Sequence, residues 1–313
     1  MISFRYHLVS LISVFLAIAL GIVIGTTQLN GAVLDGLNNQ VGSLTNDKRV
    51  LETRNESLQN QIDTGDAFGQ AVAPTLVAGA LPKARVLIVL AAENISADVV
   101  TQTTTLVEAA GGTISGVIQL SADYSNPQTS QELQNYATGE GQPPGIQLPV
   151  TDDTGQLVGA LLAAVLMAGP KGSTPVDTTA TTTVLAGLSS LGALSLQSPE
   201  VTTSDYAIML TTDALQGDDA KVRNETLGEL AVALDSAGSG VVVAGDALAA
   251  TAPGLVGTIR ADTTLATAVS TVDNVDVAAG QVSSVLALSA EGLGTSGKYG
   301  TGEGTQPVPP LEP

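Results

Sequence analysis

Residues 85–92 read "RVLIVLAA", an apolar run bounded by Pro82 on one side and by the polar "ENIS" of 93–96 on the other. A strand with one wet face alternates apolar and polar residues. A strand that is apolar at every position must be covered on both faces, which is the habit of parallel sheets. Downstream the same grammar repeats. A helical stretch over 96–110 and the turn Gly111-Gly112 lead to "TISGVIQL" (113–120). Later come "YAIMLTT" (206–212), a helix over 219–237, "GVVVAGD" (240–246), a last strand in "TAVSTVDNV" (267–275) and a helix from about 277 to 290. Strand, helix and glycine turn in alternation predict an α/β domain over 84–290, with a mostly parallel, flavodoxin- or Rossmann-like sheet and helices on both faces.

A helical insertion, about 123–198, separates the second and third of these strands. It holds a polar loop (123–150) and two apolar stretches (156–169 and 180–196). The first stretch, "QLVGALLAAVLMAG", is too short to span a bilayer and predicts a buried helix. From 291 the chain is rich in Gly and Pro and ends "VPPLEP", so 291–313 is expected to be a disordered tail. A membrane β-barrel needs many segments of about ten residues with strictly alternating polarity. The continuous apolar runs here do not fit that pattern.

Upstream of the domain lies a different kind of sequence. Leu8 to Gly25, "LVSLISVFLAIALGIVIG", is free of charge. As a helix it spans roughly 27 Å, close to the hydrocarbon core of a bilayer. A cleaved signal peptide would have a shorter apolar region followed by a small-x-small site. The Ala17-x-Ala19 pair instead lies in mid-stretch, so 1–29 is expected to be an uncleaved membrane anchor. Arg5 precedes the span and no Lys or Arg follows before Lys48, which predicts a single-pass protein with a cytoplasmic N-terminus and its bulk outside.

Within 30–65, Leu37, Leu44, Leu51 and Leu58 recur every seven residues. Placing them at heptad position d puts Leu34, Val41, Lys48, Asn55 and Ile62 at a. Leucine at d, with β-branched residues and one Asn at a, suits a parallel coiled coil in which the Asn costs stability and sets register. The expected core is Leu37, Val41, Leu44, Leu51, Asn55, Leu58 and Ile62, joining two or three copies and spacing the domain about 40 Å from the membrane. The segment 66–83, with Gly65 before it and Pro74 and Pro82 within it, is expected to be a hinged linker.

Thirty acidic residues against eleven Lys and Arg leave a net charge of −19, which repels phosphates and argues against nucleic acid as a partner. No phosphate-binding glycine loop follows the first strand, since "LAAENIS" lacks both G-x-G-x-x-G and a Walker lysine. The one histidine, His7, lies at the membrane edge, and there is no cysteine. No Ser–His or Cys–His pair can form in the domain, although a Ser–Lys arrangement stays open, and the chain is read as not an enzyme. Open parallel sheets bind ligands beyond the carboxyl ends of their strands. Those ends carry Glu93, Asp123, Asp213 and Asp246, which as a cluster would hold a hard cation such as Mg²⁺ or Ca²⁺. The simpler reading makes each a helix cap or turn residue. Copper prefers Cys or Met sulfur as Cu(I) and imidazole as Cu(II). Met1, Met167, Met209 and His7 are scattered and form no recognisable copper site.

The N-terminal "MISFRYHLVSLISVFLAIALGIVIGTTQL", the leucine ladder and the late "STVDNVDVAAGQVSSVLALSAEGLGTSGKYG" together resemble the actinobacterial copper transport outer membrane protein family, MctB. The match is closest in "VDNVD" (272–276) and "GKYG" (297–300). The resemblance implies a role in copper transport or homeostasis, copper as cargo, and the outer membrane as location. Against it stands a second expectation drawn from the residues: a non-enzymatic cell-envelope scaffold, dimerised by its coiled coil, whose domain binds a protein or a wall component.

Overall fold

The computed structural model describes residues 4–169 and 177–310, without the side chains of 26–34. Met1 and the last three residues therefore lie outside the described residues, as does the side chain of Leu34. The chain divides into two compact units, Met1–Gly65 and Asp66–Pro313.

The first unit is helical, formed by helix α1 (Phe4–Val77) up to Gly65. Its segment Phe4–Gly25 is long and apolar enough to cross a membrane, and its side chains are exposed. Within the single chain the heptad positions are exposed as well, with Leu44 at 72% and Leu51 at 63%. A coiled coil thus remains an expectation from the spacing, while the helix it requires is present.

The second unit is mixed α/β. Its elements in order are the end of α1, β1 (Arg85–Leu90), α2 (Ala97–Ala109), β2 (Thr113–Leu120), α3 (Ala122–Ser125), α4 (Ser130–Thr138), α5 (Thr154–Leu166) and α6 (Thr178–Ser190). There follow β3 (Leu194–Leu196), β4 (Tyr206–Leu210), α7 (Ala220–Ala237), β5 (Val241–Ala244), α8 (Leu255–Ala261), α9 (Thr263–Ala268), β6 (Ser270–Val272), α10 (Ala278–Glu291) and β7 (Lys298–Tyr299). The seven strands make one open sheet in the order β3-β2-β1-β4-β5-β6-β7. All neighbours are parallel except β2–β3. The sheet is therefore mixed: the short antiparallel β3 ends the insertion and closes one edge. The chain winds outward from β1 to β2 and then returns to the other side of β1 at β4. That reversal is the switch point of a doubly wound sheet.

Val86 to Val89 are fully buried, as the opening run requires. Two cores form, one on each face. One joins β1, β2 and β4 to α5, α6, α7 and α8. The other joins the opposite face to α2, α10 and the end of α1. Each fully buried Val, Leu or Ile contributes about 1.5–3 kcal/mol. The insertion's apolar stretch is indeed a buried helix, α5, and it crosses α7 closely because Gly155 and Gly159 face that helix.

Three expectations differ from the structure in detail. Residues 66–83, expected as a linker, are helical to Val77, with Ala73, Val77 and Leu81 buried. Asp66 Oδ1 accepts from the Ala278 amide at the start of α10 at 2.6 Å, and Ser289 Oγ donates to Ala80 O at 2.8 Å. The strand expected over 267–275 shortens to Ser270–Val272, because Asp262 caps α9 by accepting from the amides of Thr264 and Leu265. The tail expected to be disordered from 291 instead adds β7 to the sheet. Its last three residues lie outside the described ones.

Candidate functional site

At the switch point a cleft of about 290 Å³ opens beyond the carboxyl ends of β1, β2 and β4. Its rim comes from the loops after β1 and β4, which meet where Asn94 Nδ2 donates to Asp213 Oδ2 at 2.6 Å. Asp213 adopts a left-handed backbone (φ 57°). A non-glycine residue there is sustained by its surroundings. Here the Asp213 amide donates to both carboxylate oxygens of Asp246 at 3.2 Å. The floor is apolar and polar by turns: Leu227 and Leu255 beside Ser125, Arg223 and Asn224.

The four strand-end carboxylates now have definite places. Glu93 and Asp213 line the cleft. Asp246 is a turn residue. It accepts from Thr212 Oγ1 at 2.6 Å and from the Ala249 amide at 2.8 Å, besides Asp213. Burial works to raise its pKa, but these hydrogen bonds outweigh it and hold the carboxyl below the usual range. Asp123 sits in the first turn of α3, its amide bonded to Ser121 Oγ, and it does not line the cleft. Among the described residues no three His, Asp or Glu side chains gather as metal ligands. The sulfur donors are dispersed too: Met167 and Met209 are 3% and 0% exposed, and both are locked into the core.

A larger groove, about 950 Å³, lies on the α5–α7 face. Glu229 there is pushed up to about 7, first by burial and then by the Asp153 charge. The hydroxyl of Tyr124, which also lines it, is buried without a hydrogen-bond partner among the described residues.

"VDNVD" and "GKYG" form a clip between distant parts of the chain. Asp273 is 2% exposed and accepts from Arg260 Nη1 at 2.7 Å, the Thr301 amide at 2.7 Å and the Gly302 amide at 3.0 Å. Arg260 Nη2 donates to Tyr299 O at 2.8 Å, and Lys298 Nζ to Arg260 O at 2.9 Å. Gly300 has a positive φ (126°) and lies so close to Asp273 that a Cβ would collide with its carboxylate. Neither Arg260 nor Arg223 stands out in the sequence, because their partners are remote along the chain.

The chain matches the family profile described as copper transport outer membrane protein, MctB, over residues 1–310. It is 29% identical over 312 residues to the copper transporter MctB of Mycobacterium tuberculosis (strain ATCC 25618 / H37Rv), covering 98% of this chain and 99% of the relative. To the copper transporter MctB of Mycobacterium leprae (strain TN) it is 28% identical over 316 residues, with the same coverage of each. Similarity that runs from the apolar N-terminal helix through the whole α/β unit is not a shared module, and so this chain belongs to the MctB family.

Proposed function

We propose that the chain serves copper transport or homeostasis at the cell envelope, as a membrane-anchored and self-associating protein rather than an enzyme. Family membership over 1–310 is the observation that carries the copper role. Phe4–Gly25 supplies the anchor, and Arg5, ahead of its charge-free stretch Leu8–Gly25, favours a cytoplasmic N-terminus. The family's description supplies the outer membrane as the location. The exposed leucine ladder supports pairing of chains through Leu37, Val41, Leu44, Leu51, Asn55, Leu58 and Ile62. Buried methionines and oxygen donors are poor partners for Cu(I), so the α/β unit acts in this reading through what it contacts and not by holding the ion.

The test is a strain lacking the chain, grown in graded copper. Its intracellular copper should rise or its tolerance fall, and the full chain should restore both. Unchanged copper content and tolerance would remove the copper reading. A cell-envelope scaffold would then remain, supported by the same ladder.

A further inference from the structure

We propose that the switch-point cleft binds a small zwitterion, a molecule of amino-acid to dipeptide size bearing a carboxylate and an ammonium group. The first observation is Arg223. In a chain with thirty acidic residues and eleven basic ones, an arginine on a cleft wall would ordinarily be neutralised by a neighbour. Arg223 is half-buried, donates through Nε to Ser125 Oγ at 3.3 Å, and forms no ion pair among the described residues. Its planar fork is left to meet a carboxylate, the group whose geometry matches it.

The second observation is independent. Asn224, the next residue along α7, also lines the cleft and is 1% exposed. Its Nδ2 donates to Pro253 O at 2.8 Å, while its Oδ1 has no hydrogen-bond partner among the described residues. A buried acceptor left unmade costs about 1–3 kcal/mol, a cost that a donor on the ligand recovers once the Asn224 amide turns from its closed position toward the cleft. An ammonium has three such donors. The exposed carboxylates of Glu93 and Asp213 on the rim complete its surroundings. A lone anion would leave the rim carboxylates without a cation, and a lone cation would leave Arg223 without a carboxylate, whereas a ligand with both signs answers both.

Size and rigidity agree with this. A volume of about 290 Å³ lies at the small end of ligand sites. The rim is fixed in advance by the Asn94–Asp213 and Asp213–Asp246 bonds, so little ordering remains to oppose binding. Switch points are where open α/β sheets bind ligands in general. The proposal stands apart from the copper reading and neither needs the other.

Calorimetry on the full chain in detergent micelles tests it, with glycylglycine and L-alanine as zwitterions, acetate as the anion and ethylamine as the cation. Saturable binding of at least one zwitterion is expected, about tenfold or more tighter than acetate or ethylamine. Arg223→Gln should weaken it by a similar factor while leaving the melting temperature in place, since among the described residues the Arg223 side chain bonds only to Ser125 Oγ. Asn224→Leu should weaken it further, and its folding is checked by the same melt. No saturable heat from either zwitterion up to about 10 mM would overturn the proposal. So would acetate binding as tightly as glycylglycine, or undiminished binding by Arg223→Gln.

Discussion

Asp273 and Glu291 lie near one another in sequence and bring opposite pH behaviour to the fold. Burial works to raise Asp273, but hydrogen bonds from Arg260 and the Thr301 and Gly302 amides, with the Arg260 charge, hold it below the usual range. Its stabilisation is therefore present at neutral pH and lost as acid approaches the folded pKa. Arg260→Met would strand a buried carboxylate, and we expect a loss of about 3–5 kcal/mol in a denaturant melt at pH 7. A loss within experimental error would mean the clip contributes nothing. Glu291 is 7% exposed, its Oε1 has no hydrogen-bond partner among the described residues, and burial pushes its pKa up to about 7. Burial likewise pushes Asp235 up to about 6. An acid whose folded pKa is raised binds its proton more tightly in the folded state, so stability falls as pH rises from the unfolded value toward the folded one. The thermal midpoint should be higher at about pH 5 than at about pH 8, and Glu291→Gln, which mimics the protonated acid, should flatten part of that slope. A variant with an unchanged slope would exclude Glu291 as a source. None of this was legible residue by residue. "VDNVD" and "GKYG" could be recognised as a family signature, but the chemistry that joins them passes through Arg260, which no local pattern marks.

At the scale of elements the sequence is more informative where a pattern is long. β1 and α5 declare themselves by continuous apolar runs, and α7 begins one residue after Asp219, as its period suggests. Short elements do not. Three-residue β3 and β6 and the brief α8 and α9 carry too few side chains to show a period, and their limits are set by caps such as Asp262 and by pairing with remote strands. The leucine ladder is the strongest pattern of all, and its consequence can be measured. A chain of residues 30–313 should self-associate as a dimer or trimer at tens of micromolar, and Leu44→Asp with Leu51→Asp should yield monomers by light scattering. Charges at adjacent d positions cannot be buried in a seam without partners. An unmutated chain that is already monomeric would sink the coiled-coil reading.

At the scale of the whole molecule the question is where the α/β unit begins. The change in composition at Pro82 suggests 84, since the buried strand starts there and the prolines before it look like a break. Packing argues for 66. Ala73, Val77 and Leu81 are 2%, 0% and 2% exposed and belong to the core shared with β1, α2 and α10. Asp66 supplies the side-chain acceptor for the Ala278 amide, where α10 has no cap of its own at Val277. Gly69 faces Ala278 closely enough that a Cβ would press on it. Removing this stretch would expose one side of a core and an uncapped helix. The missing Val and Leu would each forfeit about 1.5–3 kcal/mol, and the cap about 1 kcal/mol. Against a typical stability of about 5–15 kcal/mol that is a large fraction. We therefore expect residues 66–313 to melt cooperatively at the temperature of 30–313, and residues 84–313 to melt at least about 10 °C lower or to aggregate. Equal midpoints for all three chains would mean that the last turns of α1 only rest on the domain, and that it begins at β1 after all.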